Sequence, residues 1–348
     1  MIWRLSFIND RTSVCYQPSL LKLAGTWNTC LKSTTSLREL MEIIKRIAKL
    51  IIVLLPLGGL YYRNKLKEEI QRHKNTVDRK NGTLRRYSSN HISPDSNTVN
   101  ADLLESFLEK HRPVRTNHEL VRIGSEFDGG YLLPDDLEGI KICFSPGVST
   151  ISDFEYDMAN RDVTCYLADY SVDAPSVMHA NMYFEKKFLG DHNDDVYMTL
   201  ESWVEKHGQA DENLLLQMDI EGAEYDVINC TSEQTLSRFR IITMEVHHLE
   251  DLCKKEGFKH INNMFQKLSK SFEVVHIHPN NFDCVFHYLS FAIPGTLEYT
   301  FLRKDRITDK DTDVIIPHPL DTPNSTVLND YSLPENLYKT VDYEEKAQ

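Results

Sequence analysis

The stretch LLLQMDIEGAEYDVI, from Leu214 to Ile228, joins a continuous apolar run to a helical pattern through three carboxylates. Asp219 directly follows the apolar run, and Glu221 and Glu224 fall where the next helix is expected to begin. Carboxylates near a helix N-terminus gain about 0.3–1 kcal/mol from the helix dipole, which accounts for Glu221 or Glu224. The dipole does not account for Asp219. Because ligands of doubly wound sheets lie beyond the carboxyl ends of the strands, we predict that Asp219 is functional.

The segments on either side of this stretch alternate between strand and helix patterns. The predicted strands are continuous and apolar, as expected of a parallel sheet that is covered on both faces. They cover residues 141–147, 163–171, 213–222, 240–250, 273–281 and 297–305. The predicted helices cover residues 152–161, 200–208 and 261–272. The two strands close together at the end indicate one antiparallel strand, so we predict an α/β fold with a doubly wound, Rossmann-like sheet and an antiparallel late strand.

The amino-acid composition of the chain limits the classes of ligand that are expected. The chain has 348 residues and a formal net charge of -13, and its central region has no long block of Lys or Arg. A nucleic-acid partner is therefore not expected, whereas small molecules or neutral glycans suit an acidic protein. The seven cysteines form no C-x-x-C pair, which argues against a zinc ribbon, and they are too sparse for a disulfide scaffold.

The first two predicted strand exits suggest a nucleoside ligand. Gly147 lies in the turn SPGVS, and Asp169 ends the next strand. This is close to the spacing of about 20 residues at which a carboxylate accepts hydrogen bonds from a ribose diol. One glycine and one acid suit an adenosine ligand without a pyrophosphate, although a simple turn and a capping aspartate would give the same pattern. Because no G-x-G-x-x-G follows any strand, a nicotinamide dehydrogenase is disfavoured.

The later strand exits carry histidines. In EVHH, strand alternation puts Glu245 and His247 on one face, and in HIHPNN it does the same for His276 and His278. Histidines and acids together could bind a divalent metal, or they could simply line a polar cleft. We do not favour a metal, because the ligands are spread over separate strands and form no compact local motif.

These motifs, taken in order, resemble the FkbM-type S-adenosylmethionine-dependent methyltransferases. LLLQMDIEGAEYDVI looks like the family's DIEGxE hallmark, and four further segments resemble one branch of the family. These segments are IGSEFDGGYLLPDDL, CFSPGVSTISDFEYDMA, IITMEVHHL and VVHIHPNN. The resemblance covers about residues 103–305 and implies a class I methyltransferase fold, a seven-stranded sheet whose seventh strand is antiparallel.

The resemblance also implies an activity and a set of site residues. The expected function is an S-adenosylmethionine-dependent O-methyltransferase that acts on a hydroxyl of a glycan, glycolipid or small molecule. The expected cofactor-binding residues are Gly147, Asp169, Asp219 and Glu221. Asp219 is the first candidate to position or deprotonate the acceptor, and His247 or His278 is the second. Since SPGVS is poorer in glycine than the usual first motif, the alternative is an inactive, membrane-tethered binding module that retains the fold.

The N-terminal part predicts a membrane anchor. The apolar run from Leu50 to Tyr62 is flanked by basic residues on both sides and is preceded by a second methionine, Met41. We expect an uncleaved signal-anchor, with a transit peptide and a buried or amphipathic helix as alternatives. The expected organisation is a leader at 1–46, an anchor helix at 47–64, a stalk at 65–100, a methyltransferase domain at 101–305 and a polar tail at 306–348.

Sequons suggest the location of the domain. NGT at Asn81 and NST at Asn324 fall in the polar stalk and tail, where a glycan could be accommodated, whereas NCT at Asn229 follows the DIEGAE helix. A short apolar stretch also suits a thin, early secretory membrane. We therefore predict a single-pass protein of the endoplasmic reticulum or Golgi with a lumenal domain, the alternatives being mitochondrial or cytosol-facing.

Overall fold

The computed structural model describes residues 90–149, 151–208, 213–326, 328 and 330–339. The predicted leader and anchor, most of the predicted stalk and the end of the tail lie outside the described residues. Across the part of the chain that is described, no helix has the length and apolar character needed to cross a bilayer.

The described strands are numbered β1 to β16 in chain order. They are β1 His91–Ile92, β2 Arg115–Thr116, β3 Leu120–Gly124, β4 Gly130–Pro134, β5 Ile142–Pro146, β6 Thr164–Ala168, β7 Met182–Glu185, β8 Phe188–Leu189, β9 Tyr197–Met198, β10 Leu214–Met218, β11 Phe239–Val246, β12 Phe272–Pro279, β13 Val285–Tyr288, β14 Phe291–Pro294, β15 Leu297–Arg303 and β16 Lys310–Asp311.

The described helices are numbered in the same way. They are α1 Ala101–Lys110, α2 Asp153–Ala159, α3 Leu200–His207, α4 Glu224–Cys230, α5 Glu233–Leu236 and α6 Lys255–Leu268, with 3₁₀ turns at Leu249–Cys253, Lys304–Arg306 and Glu335–Leu337. Helix α6 begins six residues before the predicted start at residue 261. The reason is that Phe258, one turn before Ile261, is buried on the same face of the helix.

Seven strands form the main sheet, in the order β7-β6-β5-β10-β11-β15-β12. The pairs among β7, β6, β5, β10 and β11 are parallel, whereas β15 runs antiparallel to both of its neighbours. This order confirms the predicted sheet with an antiparallel late strand. The carboxyl ends of β5, β6, β10 and β11 therefore meet at one edge of the sheet.

The two faces of the sheet are covered by different elements. Leu214 and Leu216 of β10 pack into a core that includes Trp203 of α3 and Phe265 of α6. Leu215 points the other way, as strand alternation requires, and packs into a core with α2 and the β3–β4 hairpin. The hairpin is fixed to the sheet by the Thr300 hydroxyl, which donates to the carbonyl of Leu132 at 2.8 Å.

Segments outside residues 101–305 are also part of this unit. Strand β1 pairs with β13, and β16 pairs with β2. Leu333 and Leu337, from the predicted tail, are only 5% and 4% exposed and lie in the core. The described parts of the predicted stalk and tail therefore contribute apolar surface to the fold.

A chain of buried polar side chains crosses the face beneath the β3–β4 hairpin. The Ser145 hydroxyl contacts Oε1 of both Glu155 and Gln217, and Gln217 donates to the Tyr131 hydroxyl at 3.2 Å. The Ser145 hydroxyl has one proton and can donate it to only one of these two oxygens at a time. Burial raises the pKa of Glu155 from 4.5 to about 7.

We predict that Glu155→Gln makes the domain less sensitive to pH. The wild-type carboxyl has its raised pKa of about 7 only in the folded state. Its contribution to stability is therefore complete below pH 4.5 and is lost as the pH rises toward 7, by about 3 kcal/mol in total. Urea unfolding at pH 4 to 8 measures the difference between variant and wild type, which should move in favour of Glu155→Gln by about that amount. A difference that stays constant with pH contradicts the assignment.

Candidate active site

The site is built where β10 and β11 end side by side. Their parallel register pairs Met218 with Met244, which brings Asp219 level with Glu245 at the exits of the two strands. Glu245 and His247 lie on the same face, as strand alternation predicts, with 3.4 Å between Glu245 Oε2 and His247 Nε2. The fold thus brings together acids that are 26 positions apart in the sequence.

His247 lies at the centre of a group of carboxylates. Its side chain is 12% exposed, and each ring nitrogen faces acidic oxygens. The distances are 3.1 Å from Nδ1 to Glu224 Oε1, 3.4 Å from Nε2 to Glu245 Oε2, 3.7 Å from Nε2 to Asp219 Oδ1 and 3.9 Å from Nε2 to Glu221 Oε2. The predicted site residues Asp219, Glu221 and His247 are therefore neighbours.

Glu224 fixes the orientation of the imidazole. It is fully buried and accepts hydrogen bonds from the backbone N–H groups of Ile220 and Gly222. Burial alone would raise the pKa of Glu224, but His247 and the backbone N–H groups of Glu224 and Gly222 lower it. An ionised carboxylate only accepts hydrogen bonds, so Nδ1 of His247 donates to Glu224 and Nε2 faces Asp219 and Glu245.

The close packing of these acidic side chains changes the pKa values of the group. Burial raises the pKa of Asp219 well above its usual range, and the charge of Glu245 adds to this shift. Although 30% of the Asp219 side chain is exposed, its Oδ1 atom is enclosed and has no hydrogen-bond partner among the described residues. Burial would lower the pKa of His247, but Glu224, Glu245 and Asp219 together raise it well above its usual value.

The turn between β10 and α4 differs from the prediction. Helix α4 begins at Glu224, so the prediction that Glu221 belongs to the start of the helix is wrong. Glu221 and Gly222 have φ angles of +61° and +105° and form a tight turn before the helix. The turn folds the Glu224 carboxylate back onto the N–H groups of the turn and places Glu221, which is 58% exposed, at the rim.

Gly147 lies against Asp219. Its φ is +89°, and a Cβ at this position would lie 1.6 Å from the carbonyl oxygen of Asp219. The Asp219 N–H in turn donates to the carbonyl of Pro146 at 3.2 Å. A glycine is therefore required at the β5 exit for β10 to deliver Asp219 to the edge of the sheet.

Asp169 joins the loops after β5 and β6. Its oxygens accept the backbone N–H groups of Ser149 and Ser171, both at 2.7 Å, and the residue is 4% exposed. A carboxylate has about four acceptor positions, so hydrogen-bonding capacity remains for a ribose. In this conformation the loops cover Asp169, and a ribose would reach it only after they part.

His278 lies apart from this group. Strand β15 lies between β11 and β12, so His278 is two strands away from His247. Its nearest carboxylate is Glu298, with 3.7 Å between Nδ1 and Oε2. His278 also borders a cavity of about 270 Å³ that is lined in part by Pro317, His318 and Asp321.

Three residues around the site have contacts that the sequence patterns do not predict. Glu224 was interpreted as a helix-dipole residue, although it binds His247. Glu245 accepts a hydrogen bond from Asn280 at 2.9 Å and is 3% exposed. Asp128 follows the β3 strand, and burial, with Glu245 and Glu298 nearby, raises its pKa to about 7. The alternation of Glu245 with His247 in the sequence indicates that they share a face. The positions of Glu224 and Asp128 depend on turns, which the sequence pattern does not show.

The expectation that a glycan could be accommodated at Asn324 disagrees with this fold. Asn324 is 5% exposed, and its amide donates to Glu298 Oε1 at 2.6 Å. A glycan on this nitrogen would remove that hydrogen bond and could not be accommodated in the interior. Asn229 is half-buried and donates to the carbonyl of His260, and Asn81 lies outside the described residues.

Comparison with known proteins gives a family match over part of the chain. The sequence model of the methyltransferase FkbM domain matches residues 147–272, which confirms the family predicted from the sequence. No curated protein matches the chain. Among solved structures, the chain is similar to precorrin-6y C5,15-methyltransferase from Geobacter metallireducens, with 8% identity, a TM-score of 0.26 and coverage of 61% of this chain and 93% of that chain. It is also similar to the fibrillarin/Nop5p complex, with 12% identity, a TM-score of 0.30 and coverage of 56% and 98%.

We predict that Gly147→Ala destabilises the domain more than Gly139→Ala does. Both glycines have positive φ, +89° and +82°, so both substitutions carry the left-handed penalty of about 1–2 kcal/mol. At Gly139 the nearest atom would lie 3.6 Å from the new Cβ, so only Gly147→Ala adds a collision with the backbone. Urea unfolding of the two variants measures the difference, and equal losses of stability would contradict the close approach to Asp219.

Proposed function

We propose that the protein is an S-adenosylmethionine-dependent O-methyltransferase, in agreement with the match of residues 147–272 to the FkbM methyltransferase model. Its proposed acceptor is a hydroxyl of a glycan, glycolipid or small molecule. The observation that carries the proposal is the Asp219 carboxylate at the edge of the sheet. It lies against the Gly147 turn and 3.7 Å from His247.

The charge of the site suits a sulfonium donor. Four carboxylates surround one imidazole at this edge, so acidic groups outnumber basic ones. A sulfonium is a cation, and the enclosed Oδ1 of Asp219 is an acceptor without a hydrogen-bond partner in the described part of the chain. Gly147 and Asp169 would hold the adenosine at the β5 and β6 exits, with Glu221 at the rim of the same opening.

The bound donor supplies an electrophilic methyl group to the reaction. The acceptor oxygen forms the new C–O bond as the S–C bond breaks, and the electron pair of that bond stays on sulfur. Asp219 orients the acceptor hydroxyl and takes its proton, which then passes to solvent. The raised pKa of Asp219 makes it a stronger base than an ordinary aspartate. His247 limits the negative charge around Asp219, and Glu224 holds His247 in place.

One observation favours the alternative, a binding module without turnover. Both Asp169 oxygens are already bonded to backbone N–H groups, and the loops cover the residue. If these loops never part, the donor cannot bind as proposed. Calorimetry with S-adenosylmethionine decides between the two functions, because an enzyme binds it and the module does not bind it even at millimolar concentration. A labelled-methyl screen over glycan extracts then identifies the acceptor.

We also propose that residues 47–64 anchor the protein in an early secretory membrane with the domain in the lumen. The support is the apolar run between basic flanks and the sequon at Asn81. The test is a glycosidase shift of the full-length protein, with Asn81→Gln as the control. No shift, together with digestion of the domain by protease added to sealed microsomes, would place the domain on the cytosolic side.

We predict that Asp219→Asn lowers the rate of methyl transfer by about 10²–10⁴-fold, because it removes the base. Part of the side chain is exposed and the substitution is nearly isosteric, so the fold should persist. Because Asp219 also faces the proposed donor, the rates are compared at saturating S-adenosylmethionine. The control is Asp226→Asn in α4, whose side chain is 60% exposed and faces His260. Radiolabelled methyl transfer measures the rates, and a near wild-type rate for Asp219→Asn would exclude it as the base.

We predict that Asp169→Ala weakens the binding of S-adenosylmethionine by about 1.5–3 kcal/mol, because charge-assisted hydrogen bonds are lost. The matched control is Asp173→Ala in the same loop, whose side chain is 91% exposed. Calorimetry on both variants, after circular dichroism has shown that they fold, measures the change. An unchanged dissociation constant for Asp169→Ala would remove this residue from the cofactor site.

A further inference from the structure

We propose that Asp219, Glu245 and His247 bind a divalent metal ion of the Mn²⁺ type. The ion would lie at the exits of β10 and β11, beside the opening to the donor site. The binding site follows from the geometry of these three side chains. Its role, to hold and polarise the acceptor hydroxyl, rests on the proposed function.

The ligand atoms already converge. One oxygen from each carboxylate and one imidazole nitrogen lie within 4.8 Å of one another. His247 Nε2 is 3.4 Å from Glu245 Oε2 and 3.7 Å from Asp219 Oδ1. Ligands that bind an ion at about 2.0–2.2 Å are separated by about 3 Å when they are adjacent, so small side-chain rotations would close the site.

The surrounding hydrogen bonds leave the correct atoms available. Metal-binding histidines generally donate their other ring nitrogen to a carboxylate or carbonyl. Here Nδ1 of His247 donates to the buried Glu224, so Nε2 points toward Asp219 and Glu245. Asn280 donates to Oε1 of Glu245, which orients Oε2 toward the same point.

Asp219 provides an independent indication. Its Oδ1 is enclosed by protein, and no hydrogen bond reaches it from the described residues. A buried carboxylate oxygen without a partner carries a substantial desolvation cost. A cation between Oδ1, Oε2 of Glu245 and Nε2 of His247 would satisfy this atom. It would also offset the four acidic groups that surround a single imidazole.

The donor set indicates the class of ion. Two carboxylate oxygens and one imidazole nitrogen are harder than the sulfur-rich sites of structural zinc and softer than the all-oxygen sites of Ca²⁺. Mn²⁺ accepts this mixture. Because 30% of the Asp219 side chain is exposed, the remaining coordination positions face the opening, where a hydroxyl and water can bind.

The fold removes the sequence argument against a metal. The ligands are widely spaced in the sequence because they come from two strands. Strands β10 and β11 are parallel neighbours, so their exits are adjacent in space whatever the length of chain between them. A metal site of this kind therefore needs no compact sequence motif.

The test is direct binding of Mn²⁺ to the full-length protein, measured from the loss of the free-ion signal in electron paramagnetic resonance. The variants are Asp219→Asn and His247→Asn. The matched control is His248→Asn, since His248 is the adjacent histidine, is 44% exposed and faces Glu250. Its φ of +60° is one that asparagine tolerates. We expect one site per chain, at least tenfold weaker binding in both variants and unchanged binding in the control.

Absence of Mn²⁺ binding to the wild type, or equal binding by all variants, would overturn the proposal. If His247→Asn does not fold, Asp219→Asn alone decides, because its side chain is partly exposed and its shape is kept. Methyl transfer with and without a chelator separates the two proposals. Transfer that persists without Mn²⁺ binding rejects the metal and retains the enzyme. Site-specific binding without any transfer supports the metal site and rejects the enzyme.

Discussion

The contact between His247 and Glu224 is the interaction on which the rest of the site depends. Glu224 is fully buried, and without the imidazole its charge would be offset only by backbone N–H groups. The same imidazole presents Nε2 to Asp219 and Glu245 at the adjacent strand exits. One ring thus compensates a buried acid on one side and contacts two further acids, whose pKa values are raised, on the other. Breaking the contact would free the ring to turn and would leave a buried charge without its partner.

The sheet supplies the geometry that this interaction requires. Parallel neighbours bring the exits of β10 and β11 together, and the glycine at 147 lets the backbone at Asp219 approach the exit of β5. The proposed adenosine contacts at the β5 and β6 exits and the proposed acceptor chemistry at the β10 and β11 exits would therefore lie along one edge of the sheet. In the proposed reaction, the transferred methyl group passes between these two parts of the edge. Alignment at this edge accounts for much of the expected rate, because an in-line displacement depends on orientation.

The main sheet and the residues at the centre of the candidate site could be predicted from the sequence. Apolar runs that end in acids predicted the strand exits, and alternation placed Glu245 and His247 on one face, as the structure confirms. The role of Glu224 was not predictable, because it depends on two successive positive φ angles at Glu221 and Gly222. Likewise, His278 is distant because β15, which follows β12 in the chain, lies between β11 and β12. Asn324 is buried by contacts 26 residues away along the chain, which a local reading of a polar segment cannot show.

A crystal structure of the protein with S-adenosylhomocysteine would test the central claim most directly, because it would locate the sulfur relative to Asp219. We expect the adenosine to lie over the β5 and β6 exits, with the sulfur facing the Asp219 carboxylate across the Gly147 turn. We also expect the loops over Asp169 to part and admit the ribose. A cofactor bound elsewhere, or a site that stays empty at millimolar concentration, would contradict the account.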